Sequence, residues 1–233
     1  MFETLLSKTL FILAGSLVFT FLGALCILKY FRKAYENGKE YVWADVNDEG
    51  QLDLFIDSAI LKKIFWPALI VNVITFLGLL FYREVEVLNF ILMFLFTFSE
   101  GITIGVLLIS LDENIGIKVT GLTALATFSA SLVGMYSGID FSFLDKFLFY
   151  GLMVLLGISI LRLFVSIKGT KRKIIAGAGI IIFIGYLLFD FNNLSKAQDV
   201  EVLNNWNTAL DFAINIYLDI INLFLDILDL LSD

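Results

Sequence analysis

The sequence predicts an all-α integral membrane protein with seven transmembrane helices, and its composition and hydropathy pattern both support this fold class. Of the 233 residues, 59% are apolar and 17% are charged, and the mean hydropathy is +0.91. Soluble domains are typically about half apolar and about a quarter charged. Seven mostly apolar runs are each close to the length of about 20 residues that crosses a hydrocarbon core. They cover residues 9–28, 64–82, 87–111, 119–136, 147–165, 174–194 and 206–231.

The first apolar run has the position of a signal peptide but lacks its other features. Its leader carries Glu3 and one cation, Lys8, and no small-residue cleavage site precedes Lys29–Arg32. Signal peptides have a positively charged leader and small residues at the cleavage site. We therefore expect this run to be a retained membrane anchor.

The segment 29–63 is the one long connection, and it contains seven acidic and six basic residues. Apolar residues in its second half recur at helical spacing with polar residues between them. This pattern predicts a helix that lies at the membrane interface before the second span. The residues that form the pattern are Leu52, Phe55, Ile56, Ala59 and Ile60.

Residues 45–50 of this acidic loop resemble the start of a calcium-binding EF-hand loop. The twelfth position of that loop requires a bidentate glutamate, and this chain has Ile56 there. An acidic turn is therefore the preferred interpretation, and no metal site is assigned.

Composition also excludes several classes of function. The chain has no histidine, which is the commonest ligand of zinc and copper, and Cys26 is its only cysteine. A disulfide framework and a cysteine-based metal site are therefore excluded. The net charge of −7 provides no general attraction to nucleic acid. We expect no cofactor and no nucleic-acid partner.

Acidic residues inside the predicted spans are the strongest functional signal. Glu100 lies in the middle of the third run and Asp190 near the end of the sixth. A charge in the bilayer core is costly, so acids retained there usually face the interior of the helix bundle. The last run carries six polar residues at steps of three and four, which places them on one helical face. They are Asp211, Asn215, Asp219, Asn222, Asp226 and Asp229.

Two interpretations of this polar stripe remain open. The helix could lie on the membrane surface with its acids in water, or it could belong to the bundle and line a cavity. Interfacial helices usually carry Lys and Arg on the polar face, and this helix has none. The second interpretation is therefore preferred. Carboxylates held close together at low dielectric cannot all be ionised, so we expect a pair of them to share a proton.

Three segments resemble the Bax inhibitor-1 family, also known as the transmembrane Bax inhibitor motif proteins. Tyr217–Phe224 is similar to the C-terminal signature of the family, Phe189–Asn193 to its second aspartate motif, and Phe96–Gly105 to its glycine-rich third span. The resemblance extends from about the second span onward. It implies a seven-helix fold with the last helix at the centre of the bundle. It also implies a pH-sensitive calcium leak across the membrane.

The resemblance also implies roles for individual residues. Asp190 and Asp219 correspond to a proton-sharing pair, and Arg83 to an arginine that latches one of them. The bacterial pattern has a glutamate where this chain has Asn72, and Glu100 is an additional acid that could compensate for that loss. Calcium and protons are then the expected ligands. The remaining pathway candidates are Asp211, Asn215, Asn222 and Asp226.

Arg83 also has an interpretation that does not depend on the family. The span count places Arg83 and Asp190 on the same side of the membrane, which makes Arg83 a candidate ion-pair partner. A snorkelling arginine at the interface is the alternative. Counting positive charges in the loops places the C-terminus in the cytoplasm, whereas the resemblance places the Arg83 side there. The orientation therefore stays open, while the bacterial form of the motifs indicates a bacterial plasma membrane.

Three other functions compete with the leak channel. Intramembrane aspartyl proteases also use two aspartates as catalytic residues. Their motif has a glycine directly before one aspartate, and neither Asp190 nor Asp219 is preceded by glycine. We therefore expect no enzyme. A regulatory protein that binds a membrane protease or a channel, without conducting ions itself, is the main alternative. Proton-coupled transport of a small solute is less favoured, because no inverted repeat is visible.

Overall fold

The computed structural model describes residues 2–46, 52–109, 113–162 and 164–232, and helices dominate it. The secondary structure consists of α1 (Leu5–Glu36), β1 (Val42–Val46), β2 (Leu52–Ile56), α2 (Ser58–Phe81), α3 (Glu86–Leu108), α4 (Glu113–Tyr136), α5 (Asp145–Arg162), α6 (Thr170–Ala197) and α7 (Trp206–Leu231). Short 3₁₀ turns at Phe141–Leu144 and Glu201–Leu203 precede α5 and α7.

Each of the seven predicted apolar runs coincides with one helix. Within the described ranges, six helices, α1 to α6, are long and apolar enough to cross a membrane. The last helix matches the predicted run 206–231 at both ends, but its polar stripe lowers its hydropathy. Its crossing of the membrane and its central position therefore remain predictions. Residues 110 and 111 of the third predicted run lie outside the described residues.

The chain folds as two compact units. The N-terminal unit comprises residues 11–113 and contains most of α1, the two strands, α2 and α3. The C-terminal unit comprises residues 1–10 and 114–233 and contains the first turns of α1 together with α4 to α7.

Glycines bring α1 and α3 into backbone contact in the N-terminal unit. A Cβ atom at Gly23 would collide with the carbonyl oxygen of Phe98, and one at Gly101 would collide with the carbonyl oxygen of Thr20. Without a strong hydrophobic driving force in lipid, membrane helices associate through such close packing. These two glycines therefore fix how α3 faces α1.

The interfacial helix predicted over Leu52–Ile60 is wrong. Leu52–Ile56 forms strand β2, which pairs in antiparallel register with β1. Ala59 and Ile60 instead belong to the first turn of α2. That helix is capped by Asp57, whose carboxylate accepts a hydrogen bond from the backbone N–H of Ala59 at 2.7 Å.

The β-hairpin forms because buried apolar residues alternate with exposed residues along both strands. Val42 and Ile56 are paired in the register and are buried with Phe31 of α1. The neighbouring pair, Trp43 and Phe55, is exposed, and its rings stack with centroids 6.2 Å apart. A short apolar run cannot distinguish a strand from a helix by its periodicity alone. Here pairing with β1, which lies outside the predicted helix, makes Leu52–Ile56 a strand.

The expected acidic turn lies largely outside the described residues. Asp45 and Ile56, the first and twelfth positions of the EF-hand comparison, lie in the two paired strands. Residues 47–51 between them are not described. In the described part of the chain, no three His, Cys, Asp or Glu residues form a group that could hold a metal ion.

Asn192 anchors α6 in the C-terminal unit. Its Nδ2 donates hydrogen bonds to the carbonyl oxygens of Gly134 at 3.1 Å and Ile139 at 3.0 Å. Its Oδ1 accepts a hydrogen bond from the backbone N–H of Phe141 at 3.2 Å. All polar atoms of this buried amide are thereby used, and they tie the end of α4 and the loop after it to α6. Because Asp190 is only two residues away, these contacts also fix the rotation of α6 at the aspartate.

The start of α7 is held by the N-terminus of the chain. Lys8 Nζ donates hydrogen bonds to the carbonyl oxygen of Asn204 at 2.8 Å and to its Oδ1 at 2.9 Å. Asn204 Nδ2 donates in turn to the carbonyl oxygen of Glu3 at 2.7 Å. Asn205 caps the helix by accepting from the backbone N–H of Thr208 at 2.9 Å. These contacts fix the position of the first turn of α7 relative to the start of the chain.

Candidate functional site

Asp190 of α6 and Asp219 of α7 meet inside the C-terminal unit. Their exposed fractions are 9% and 7%, and their carboxyl groups lie within hydrogen-bonding reach of each other. Two carboxylates have no hydrogen to donate, so a hydrogen bond between them requires a proton on one. The fold therefore brings together the two aspartates that the family resemblance pairs, and their sharing of a proton remains a prediction.

The aspartate pair is buried because it lies on the packed faces of both helices. Asp190 lies between Leu187 and Leu194 on α6, at the three- and four-residue spacing that forms one helical face. Asp219 lies likewise between Ile216 and Leu223 on α7. All four flanking residues are fully buried. The carboxyl groups therefore replace apolar side chains in the interface between α6 and α7.

One carboxyl oxygen of the aspartate pair lacks a hydrogen-bond donor among the described residues. Asp219 Oδ2 is buried and has no hydrogen-bond partner among the residues that the structure describes. Tyr186, one turn before Asp190 on α6, lies close enough to both aspartates for their charges to act on its hydroxyl group. A buried acceptor without a donor is costly. This oxygen therefore adds to the free-energy cost of burying Asp219.

The rest of the polar stripe on α7 divides into different environments. Asp211 is half-buried, Asn215 is exposed, and Asn222 donates its Nδ2–H to the carbonyl oxygen of Leu218 on its own helix. The carboxyl group of Asp226 packs against Gly179 of α6, where a Cβ atom would collide with it. The helical face predicted from the spacing is therefore present, but its members do not share one environment. That the face lines a cavity remains a prediction.

Asp229 at the end of the stripe is neutralised by two arginines. It contacts Arg162 of α5 and Arg172 of α6, each at 3.0 Å, and its side chain is 28% exposed. Arg172 also donates to the hydroxyl oxygen of Ser232 at 2.6 Å. Neither arginine was predicted from the sequence as a partner of the stripe. One signal was available, since Arg162 is the only charged residue in the predicted run 147–165.

The remaining predicted residues lie in the N-terminal unit. Arg83 occupies the exposed turn between α2 and α3, where its carbonyl oxygen accepts a hydrogen bond from Asn89 Nδ2 at 2.9 Å. Asn72 and Glu100 are in direct contact, with Asn72 Nδ2 donating to Glu100 Oε2 at 2.5 Å. The role of Arg83 as a latch of the aspartate pair remains a prediction.

Comparison with known proteins extends over both units. A family model described as inhibitor of apoptosis-promoting Bax1 matches residues 3–233. The chain is 30% identical to Protein LIFEGUARD 1 of Arabidopsis thaliana over 173 residues, which cover 73% of this chain and 71% of that protein. It is 28% identical to an uncharacterized protein of Helicobacter pylori over 67% of this chain and 66% of that protein. An uncharacterized protein of Campylobacter jejuni is 31% identical over 67% of each chain.

Proposed function

This chain belongs to the Bax inhibitor-1 family of multi-pass membrane proteins, and we propose that it is a pH-sensitive cation leak that conducts calcium. The observation that carries the proposal is the buried contact between Asp190 and Asp219. Ionisable groups placed inside membrane domains usually serve ion or proton pathways. The relatives in two bacteria support a bacterial plasma membrane as its location.

The aspartate pair serves as the pH sensor. With one proton present, a hydrogen bond joins Asp190 to Asp219 and holds α6 against α7. When that proton is lost at higher pH, two buried carboxylates face each other and repel, because the low dielectric of the interior screens them poorly. The repulsion acts on the interface between α6 and α7 and changes the packing there. Flux through the protein then depends on pH through the population of the two packings.

The polar stripe on α7 provides the oxygen atoms that a calcium pathway needs. Calcium takes about 6–8 oxygen ligands and prefers carboxylate and carbonyl groups. Asn215, Asn222 and Asp226 carry such groups on the same helical face as Asp219. A series of weak sites along one helix suits conduction, because an ion must be bound loosely enough to leave. We assign these residues and Asp211 to the pathway.

Arg83 acts in this proposal as the latch implied by the family resemblance. Replacement of Arg83 by glutamine removes the charge but retains hydrogen-bonding atoms, so it should alter the pH dependence of flux if the latch exists. Unchanged pH dependence in this variant would assign Arg83 to the interface, as a snorkelling side chain.

Calcium flux into liposomes that contain the purified protein tests the proposal. We expect the wild-type protein to show a flux that differs between pH 6, 7 and 8. Asp219→Asn keeps the shape of the side chain but cannot lose a proton, so its flux should no longer depend on pH. Asp199→Asn, at an exposed residue of the turn before α7, is the matched control and should behave as the wild type does.

Two results would overturn the proposal in different ways. If Asp219→Asn retains the flux and its pH dependence, the aspartate pair is not the sensor. If well-folded wild-type protein conducts at no pH, the channel assignment fails. The preferred function would then be a regulator that binds a membrane protease or a channel.

A further inference from the structure

Glu100, in the middle of α3, contacts the amide side chain of Asn72 on α2. Asn72 Nδ2 donates a hydrogen bond to Glu100 Oε2 at 2.5 Å. Glu100 is the only charged residue in the stretches 9–28, 64–81 and 87–108, which form most of α1, α2 and α3. This pair lies in the N-terminal unit, whereas both members of the aspartate pair lie in the C-terminal unit.

Three hydroxyl groups near the Asn72–Glu100 pair donate their hydrogen bonds to backbone carbonyl oxygens. Ser99 donates its hydroxyl hydrogen to the carbonyl oxygen of Ala68 at 2.8 Å, and Thr103 donates to that of Ser99 at 3.2 Å. Thr75 donates to carbonyl oxygens one turn earlier on its own helix. The structure thus shows Asn72 as a hydrogen-bond donor to Glu100, whereas these three hydroxyl groups donate elsewhere.

Within the described stretches 9–28 and 64–81, the helices packed against Glu100 contain no charged residue. On its other side, α3 contacts α1 through Gly101 and Gly105. The only ionisable side chain of α1 between residues 9 and 28 is Cys26, which is exposed. The stretch 64–81 of α2 contributes none. An ionised Glu100 would therefore be stabilised in this unit by one neutral amide, in contrast to Asp229 with its two arginines.

The Asn72 side chain leaves one strong acceptor unused. The residue is 5% exposed, and its Oδ1 has no hydrogen-bond partner among the described residues. Half a turn of the amide about its terminal bond would exchange Oδ1 and Nδ2. A protonated Glu100 could then donate its O–H to Oδ1, and the unused acceptor would be satisfied. An ionised Glu100 accepts from Nδ2, through the contact that the structure contains.

The pair therefore has one hydrogen-bonded arrangement for each protonation state of Glu100. We propose that Glu100 and Asn72 form a second proton-binding site of this protein, within the membrane part of the N-terminal unit and independent of the aspartate pair. Glu100 binds the proton, and Asn72 is a positioning residue that keeps the contact in both states. This inference does not rest on calcium conduction, since a proton can bind there whether or not ions pass.

Infrared difference spectroscopy of the full chain in lipid nanodiscs tests the proposal without measuring flux. Spectra at pH 6 and pH 8 report protonated carboxyl groups through their C=O stretching band, which shifts in heavy water. The starting protein is the triple variant Asp190→Asn, Asp219→Asn, Asp226→Asn, which removes the contributions of the aspartate pair and of the half-buried carboxyl group that packs against Gly179. We expect a pH-dependent carboxyl band to remain in this variant and to be lost when Glu100→Gln is added.

Two further variants separate proton binding from a structural role. Asn72→Leu fills a similar volume without polar atoms, so the Glu100 band should persist but shift in frequency and in the pH of its midpoint. Glu100→Asp retains a carboxyl group on a shorter chain and should restore a band that Glu100→Gln lacks. If Glu100→Gln leaves the pH difference spectrum unchanged in folded protein, the proposal is wrong. An Asn72→Leu band with unchanged frequency and midpoint would show that Asn72 does not position the proton.

Discussion

The middle and the end of α7 place the same residue type in opposite electrostatic surroundings. Asp219 faces the carboxyl group of Asp190 in an apolar interface and retains an oxygen without a donor. Asp229, ten residues later on the same helical face, is held between Arg162 and Arg172. The charge of Asp229 is compensated by two arginines, whereas the ionisable group that contacts Asp219 is a second carboxyl group.

This difference shows that the partner, rather than the position on the helix, decides what a buried acid does. A carboxylate between two guanidinium groups forms charge-assisted hydrogen bonds and fixes the ends of three helices. A carboxylate beside another carboxylate is a site of repulsion unless a proton intervenes. The same substitution, Asp to Asn, should therefore have unequal consequences at the two positions.

The largest expected effect on stability is at Asp229. Asp229→Asn removes the negative charge and leaves two partly buried arginines without their counterion. Breaking a buried ion pair by removing one partner costs about 3–5 kcal/mol, and partial solvent access lowers the cost here to about 2 kcal/mol. Thermal and denaturant unfolding in lipid nanodiscs should show this loss in the free energy of unfolding. Asp199→Asn, at an exposed position, provides the control.

A test of the arginines completes this prediction. Arg172→Gln should also destabilise the protein, because it removes hydrogen bonds to both Asp229 and Ser232. The double variant with Asp229→Asn should lose less than the sum of the two single losses, as expected for residues in one network. Additive losses would show that the two side chains stabilise the fold separately.

A smaller effect is expected from the same substitution at Asp219. The Asn amide can donate a hydrogen bond to the Asp190 carboxylate, so the contact survives and one buried charge is removed. We expect the free energy of unfolding to change by less than about 1 kcal/mol, in either direction. The measurement is the same unfolding experiment, with Asp229→Asn run in parallel. A loss at Asp219 that equals the loss at Asp229 would remove the distinction between the two sites.

The smallest effect is expected at an exposed ion pair, which gives a third environment for comparison. The Lys196 ammonium group, 2.5 Å from Asp140, and the hydroxyl and backbone N–H groups of Ser142 hold the pKa of Asp140 well below its usual range. A lowered pKa in the folded state stabilises the protein at pH values above the unfolded pKa. This stabilisation is lost as the pH falls through the folded pKa.

Lys196→Gln should therefore raise the pKa of Asp140 toward its usual range. Stability at neutral pH should hardly change, because water and salt screen exposed pairs. A carboxyl titration by nuclear magnetic resonance measures the pKa directly, and Lys171→Gln, at an exposed residue at the start of α6, is the control. An unchanged pKa of Asp140 would mean that Ser142 alone stabilises the ionised carboxyl group.

The helices could be predicted from the sequence, but the β-hairpin of β1 and β2 could not. Long apolar runs must satisfy their backbone hydrogen bonds internally in lipid, which leaves the helix as the natural structure for a single run. The segment Leu52–Ile56 is short and amphipathic, so its own periodicity fits either structure. Its conformation depends on pairing with Val42–Val46 and on burial of Val42 and Ile56 against Phe31.

The sequence predicts which residues of α7 share a face, because helical spacing is a local property of the chain. It also predicts that Asp190, Asp219 and Glu100 have a functional role, because an ionisable group in the membrane carries a free-energy cost. The partners of the acids depend on helix packing: a second carboxyl group for Asp219, two arginines for Asp229 and the Asn72 amide for Glu100. Electrostatic energies depend on the distances between groups on different helices. Those distances arise from packing between segments that are far apart in sequence.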